Sequence, residues 1–361
     1  MNPQKHVLKL IFLIAVIVLA GFFIFGKNNS GLTGKVISTG DTAVTPAQPA
    51  VAPIIAGKVF LLGGNTINNS GQSPSSYYND VWQSSDMSNW TLISPDMANP
   101  GNLKWTQRTG QTALYFQNKL WVIGGQDAQG NASNEVWSSS DGINWILAGH
   151  IGSNFNSYLA GHTSVVFDKK MWVMGGHTGV SLWNDVYSSP DGITWTHVTT
   201  APWSVRYGHT SVVYNNKIWV MGGAIGMGAF INDVWSSPDG VNWTQATSSA
   251  SWTPRYGASI GVYNNKMYLF SGSDLSGSFS DVYSSTNGIT WAAVPQNQWP
   301  ARTLGESAVF NSRMYLLGGS GSSPSYPQYN DIWSFNGPSW QSINQNPAWS
   351  KRSGHSVVVA Q

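Results

Sequence analysis

From residue 57 onward the apolar positions fall in short runs or alternate with polar ones, and no stretch repeats at helical spacing. "GHTSVVYNNKIWVMGG" reads as two apolar strands joined at Asn215-Asn216, and "NDVWSSPDGVNW" as two more joined at Asp239-Gly240. Asn and Asp-Gly supply the positive φ that tight hairpin turns need. Together the two hairpins make one unit of four antiparallel strands.

That unit recurs. Gly pairs end an apolar strand at Gly63-Gly64, Gly124-Gly125, Gly175-Gly176, Gly222-Gly223 and Gly318-Gly319, with Ser271-Gly272 as a degenerate copy. An acidic residue followed by Val or Ile and then Trp or Tyr stands at Asp80, Glu135, Asp185, Asp233, Asp281 and Asp331. Each unit closes on a tryptophan: Trp90, Trp145, Trp195, Trp243, Trp291 and Trp340, at spacings of 55, 50, 48, 48 and 49 residues. Six four-stranded units at this period predict an all-β, six-bladed propeller.

The Gly-Gly strand end, the downstream aromatics and an Arg-x-Gly at the start of the next unit resemble the kelch repeat, over about residues 57–361. Kelch domains are six- or seven-bladed propellers, and the resemblance implies that fold here. The units are out of phase with the chain: residues 58–64 form a Gly-Gly strand with no preceding partner, whereas "RSGHSVVVAQ" is a first strand with no blade after it. Residues 353–360 are therefore expected to complete blade one as its innermost strand.

Upstream, residues 1–9 are a basic start holding Lys5 and Lys9, and residues 10–26 are an apolar run long enough to span a bilayer as a transmembrane signal-anchor, or to serve as a cleaved signal peptide. Lysines before the run favour a cytoplasmic N-terminus and a domain outside the cytoplasm, at the cell surface or in the periplasm, secreted if the run is removed. Residues 27–56, rich in Gly, Ser, Thr, Ala and Pro, read as a flexible linker.

Composition narrows the function classes. Of the formal net charge of +2, the first 57 residues contribute +3, leaving the remainder near −1, which argues against nucleic-acid binding. The chain has no cysteine, so it offers no disulfide, no thiolate metal site and none of the cysteine-tyrosine chemistry of galactose oxidase. His162, His209 and His355 occupy equivalent strand positions in different units and lack a carboxylate set, so no metal or other cofactor is expected. "SSPDG" resembles the Asp-box of sialidases but is one residue tighter and lies on the outer hairpin, as turn chemistry.

The candidate binding residues lie in the links between units. "WTQRTG", "WSVRYG", "WTPRYG", "WPARTLG" and "WSKRSG" give Trp105/Arg108, Trp203/Arg206, Trp252/Arg255, Trp299/Arg302 and Trp349/Arg352, five of the six arginines in the chain. Leu159 breaks the series. These links share a face with the loops that vary most, between the second and third strands of each blade, which marks the expected recognition face. Two roles are open to the motif. Arg and Trp can brace each blade, or they can form a ring that receives a glycan or protein ligand, an anionic one in particular. Glu306, read as equivalent to Gln111, His162, His209, Ala258 and His355, is the one catalytic candidate, as a general acid or base.

The reading that follows is a monomeric, membrane-tethered binding module for a glycan or protein partner. The alternative is an enzyme similar to the kelch-type sialic acid epimerases, which would need Glu306 beside the arginines.

Overall fold

The computed structural model describes residues 57–360 apart from 68–73, 99, 102, 153–158, 180, 296–298 and 338. The basic start, the apolar run and the linker expected within residues 1–56 lie outside the described residues. Among the described residues no helix is long and apolar enough to cross a membrane.

Six four-stranded antiparallel sheets follow one another along the chain. Blade 1 is built from Ser356–Ala360, Lys58–Ile67, Pro74–Ser84 and Thr91–Ser94, in that order from the axis outward. Blades 2 to 6 begin at the axis with Thr112–Phe116, Thr163–Phe167, Thr210–Tyr214, Ser259–Tyr263 and Glu306–Phe310. Each innermost strand touches those of its two neighbours, and the sixth touches the first, so the ring is closed. The closing strand is the predicted one: Ser356 lies opposite Leu62 and Ala360 opposite Lys58. Ser353 adds an isolated bridge to Asn65 just before it.

The turns follow their residues. Asn215 and Asn216 both take positive φ (47° and 53°), as do Asn264 and Asn265, which turns the inner hairpins tightly. The outer hairpins of blades 1 to 4 are held by an aspartate, and that of blade 5 by Asn287: in blade 4, Asp239 Oδ1 accepts the N–H groups of Val241 and Asn242, and these bonds hold its carboxyl down at about 2. Apolar side chains pack between blades rather than around one centre. At the closure, Ala308, Phe310 and Leu317 of blade 6 meet Val59 and Leu61 of blade 1, with Trp349 of the link between them. Each fully buried side chain of this size contributes about 1.5–3 kcal/mol. The closing seam thus rests on the same kind of packing as the other five.

The Gly pairs are explained by what lies against them. A Cβ on Gly176 would sit 2.8 Å from Cβ of His162 in its own blade, and one on Gly175 would sit 2.7 Å from Cε1 of His209 in the next. The first glycine therefore leaves room for a side chain arriving from the neighbouring blade. The degenerate copy obeys the same rule, because Ser271 faces blade 6, where Gly305 stands at the histidine position and sends no side chain across. Gly175→Ser is expected to cost about 2–4 kcal/mol through overpacking and left-handed strain. His209→Ala in the same molecule should restore the overpacking part, measured as a double-mutant cycle in urea.

At the start of the innermost strands the backbone closes a ring of its own. The N–H of Gly161 donates to the carbonyl of Gly110, Gly208 to Gly161, Gly257 to Gly208, Leu304 to Gly257, Gly354 to Leu304, and Gly110 back to Gly354, at 2.7–3.1 Å. All six residues have positive φ, including Leu304 at 54°.

Candidate functional site

Each arginine of the repeated link is 0–1% exposed. Arg302 donates from Nε to the Pro300 carbonyl, from Nη1 to the Gly318 carbonyl and to Asp331 Oδ1 (2.6 Å), and from Nη2 to Asp331 Oδ2 (2.9 Å). Tyr329 covers the guanidinium face at 4.2 Å. Arg206 with Asp233, Arg255 with Asp281 and Arg352 with Asp80 repeat the two-pronged pair, whereas Arg108 holds Glu135 through one nitrogen. The five guanidinium groups are thus placed inside the blades as clamps, each spent on a carboxylate and on the carbonyl of the first residue of a Gly pair.

The Asn that precedes every acid but Asp281, which follows Ser280, does the complementary job. Asp233 grips the arginine of the link that arrives at blade 4, while Asn232 Nδ2 donates to the Ala250 and Trp252 carbonyls of the link that leaves it. The link tryptophans pack edge-on against the closing tryptophan of the blade they enter: Trp105 on Trp145, Trp203 on Trp243, Trp252 on Trp291, Trp299 on Trp340 and Trp349 on Trp90. All five link indoles are buried. Where Leu159 replaces the arginine, the orphaned Asp185 accepts instead from Thr200 Oγ1 and lies 2.9 Å from His197 Nε2.

Beneath the backbone ring lies an axial cavity of about 320 Å³, lined by the first residues of all six innermost strands. Strand register corrects the sequence alignment of Glu306. It pairs with Leu317, just as Thr112 pairs with Ile123, Thr163 with Met174, Thr210 with Met221, Ser259 with Phe270 and Ser356 with Leu62. "TLGE" contains no insertion. Leu304 fills the positive-φ slot that is glycine elsewhere, Gly305 stands at the histidine position, and Glu306 replaces a hydroxyl residue.

Burial pushes the Glu306 carboxyl up to about 8, with the backbone of Ser307 its one opposing contact. The structure does not bring it to an arginine, since Arg302 is turned to Asp331. Burial likewise drives His162 and His355 down to about 3 and His209 well below the usual range, so all three rings are neutral at physiological pH. No lysine or arginine lines the cavity. Among the described residues no group of three or more His, Cys, Asp or Glu could hold a metal ion.

On the loop face beside the axis, half-buried rings form a crescent across blades 3 to 5. His177 meets Tyr207 edge-on at 5.4 Å, Tyr207 lies 6.5 Å from Tyr256, and Phe230 stacks on Tyr256 at 5.5 Å and 15°. Tyr207 and Tyr256 are the middle residues of Arg-x-Gly, which the sequence reading passed over. Their signal was there: the other arginine-bearing links carry Thr or Ser at that place.

Comparison with known families matches the KLHDC2/KLHL20/DRC7 Kelch-repeats domain over residues 50–249 and 189–361. The chain belongs to the kelch-repeat family. No curated protein matches it. In this kelch domain the Gly pair, the Asn-Asp pair and Arg-x-Gly form one inter-blade fastening. The arginine of a link bonds the first Gly-pair carbonyl and the acid of the blade it enters.

Proposed function

We propose that this kelch propeller is a binding module, tethered outside the cytoplasm by its apolar N-terminal run, that takes a protein partner on the loop face. The crescent of His177, Tyr207, Tyr256 and Phe230 carries this reading. Tyrosine supplies large, rigid contact area with a polar tip, and such residues dominate the binding energy of protein interfaces. Kelch propellers generally bind protein partners, which supports the choice. The arginines serve the site indirectly, by fixing the links that carry the two tyrosines. A glycan stacked on the same rings is the second reading.

The test uses peptides and glycans selected on the full chain. Tyr207→Ser/Tyr256→Ser is expected to weaken the selected ligand at least about tenfold, while Lys217→Glu on the opposite face leaves it unchanged. Equal binding by the tyrosine variant would overturn the reading, and the class of the selected ligand separates protein from glycan.

A further inference from the structure

We propose that the axial cavity is a cation site that takes a primary ammonium group, with Glu306 as its counter-charge. The site stands apart from the loop-face reading, since it uses none of the crescent residues.

The pseudo-sixfold ring makes the exception visible. Five blades place a hydroxyl at this position, Thr112, Thr163, Thr210, Ser259 and Ser356, and only blade 6 places a carboxyl. Among the described residues that carboxyl has no ion pair and its one hydrogen-bonding contact is the backbone of Ser307, in contrast to the acids gripped by the link arginines. Ionising a carboxyl in such a site is costly until a cation joins it.

The rest of the lining selects the sign of the ligand. Ser259 Oγ donates to the Gly305 carbonyl, Ser307 Oγ to the Ile260 carbonyl and Ser356 Oγ to the Gln111 carbonyl. Their hydrogens are spent on the protein, so these oxygens offer lone pairs to the lumen. Thr112 and Thr163 Oγ1 lie 2.9 and 3.1 Å from Nε2 of His162 and His209. An anion would find few donors here, whereas a group with three N–H donors finds acceptors around it.

His355 also lines the cavity and is 1% exposed; its ring lies against Gly318 of blade 6 and is neutral, so it adds no positive charge that would oppose a cation. Arg352 behind it is paired with Asp80, and Arg302 on the incoming link with Asp331, which reduces their opposition to a cation. One carboxyl with neutral oxygens suits a single positive charge; a divalent ion takes several carboxylates.

The probe is methylammonium, added to the full chain and read as a shift of the thermal unfolding midpoint. Wild type is expected to shift upward with saturation, and Glu306→Gln not to shift. Glu306→Thr, which restores the residue type of the other blades, should fold and also fail to respond. Tetramethylammonium, with equal charge and no N–H, should give no shift. Affinity should rise about tenfold between pH 7 and pH 9 as the carboxyl ionises. His162, His209 and His355 stay neutral throughout that range. N-acetyl-lysine methylamide distinguishes the source: a response comparable to methylammonium assigns the site to a partner's lysine, and exclusion assigns it to a free small amine. No shift with methylammonium, an equal shift in the Glu306 variants, or an equal shift with tetramethylammonium would overturn the proposal.

Discussion

Arg302→Met is expected to lower the unfolding free energy of the propeller by about 3–5 kcal/mol in urea denaturation. The substitution keeps much of the apolar stem but leaves Asp331 nearly buried and without its cation. Among the described residues only the indole N–H of Trp333 (2.7 Å) then remains as a side-chain donor to Asp331. Removing one member of a buried pair costs far more than removing both, so Arg302→Met/Asp331→Asn should recover at least about half of the loss. Arg108→Met should cost less, since Glu135 is 30% exposed at its side chain and shares one bond with Arg108. A ligand-facing arginine would behave in the opposite way: little stability would be lost, and binding would fall. The pair of measurements therefore decides between clamp and contact for each of the five.

Glu306→Gln is expected to flatten the pH dependence of stability between about pH 5 and pH 8. In the folded protein the carboxyl is pushed up to about 8 from its ordinary 4.5, so the native state keeps a proton that the unfolded chain releases. Wild-type stability is then fullest below pH 4.5 as far as this group is concerned, and falls as pH rises towards 8. Because Glu306 is only part-buried, the charge is screened and the loss is on the order of 3 kcal/mol. The glutamine variant has no proton to lose and should show no such slope. A wild-type profile parallel to that of the variant would mean that Glu306 ionises freely in the lumen.

Much of this architecture could be read from the chain because the physics repeats. Asn-Asn and Asp-Gly recur where positive φ is required, and the phase of the repeat foretold which strand would close the ring. Orientation was harder. A guanidinium in a link can face the axis or the blade, and its partner lies far away in sequence, as Asp233 does from Arg206. One clue was present, since the unit without an arginine still keeps its acid, Asp185, and that acid needed another partner.

Glu306 was misaligned for a physical reason. Gly is the expected occupant of a left-handed slot, so Gly305 was matched to it, whereas Leu304 is the residue that occupies it, under strain. The aromatic crescent escaped because a variable position between two fixed ones looks like filler until neighbouring blades bring its copies together.

The backbone ring at the axis has a further consequence. Its six amide groups run head to tail around a circle, so the in-plane parts of their dipoles cancel, and neighbouring links polarise one another. The ring therefore imposes no sideways field on the lumen beneath it. A charge placed off-centre there, as Glu306 is, gives an almost sixfold cavity a direction.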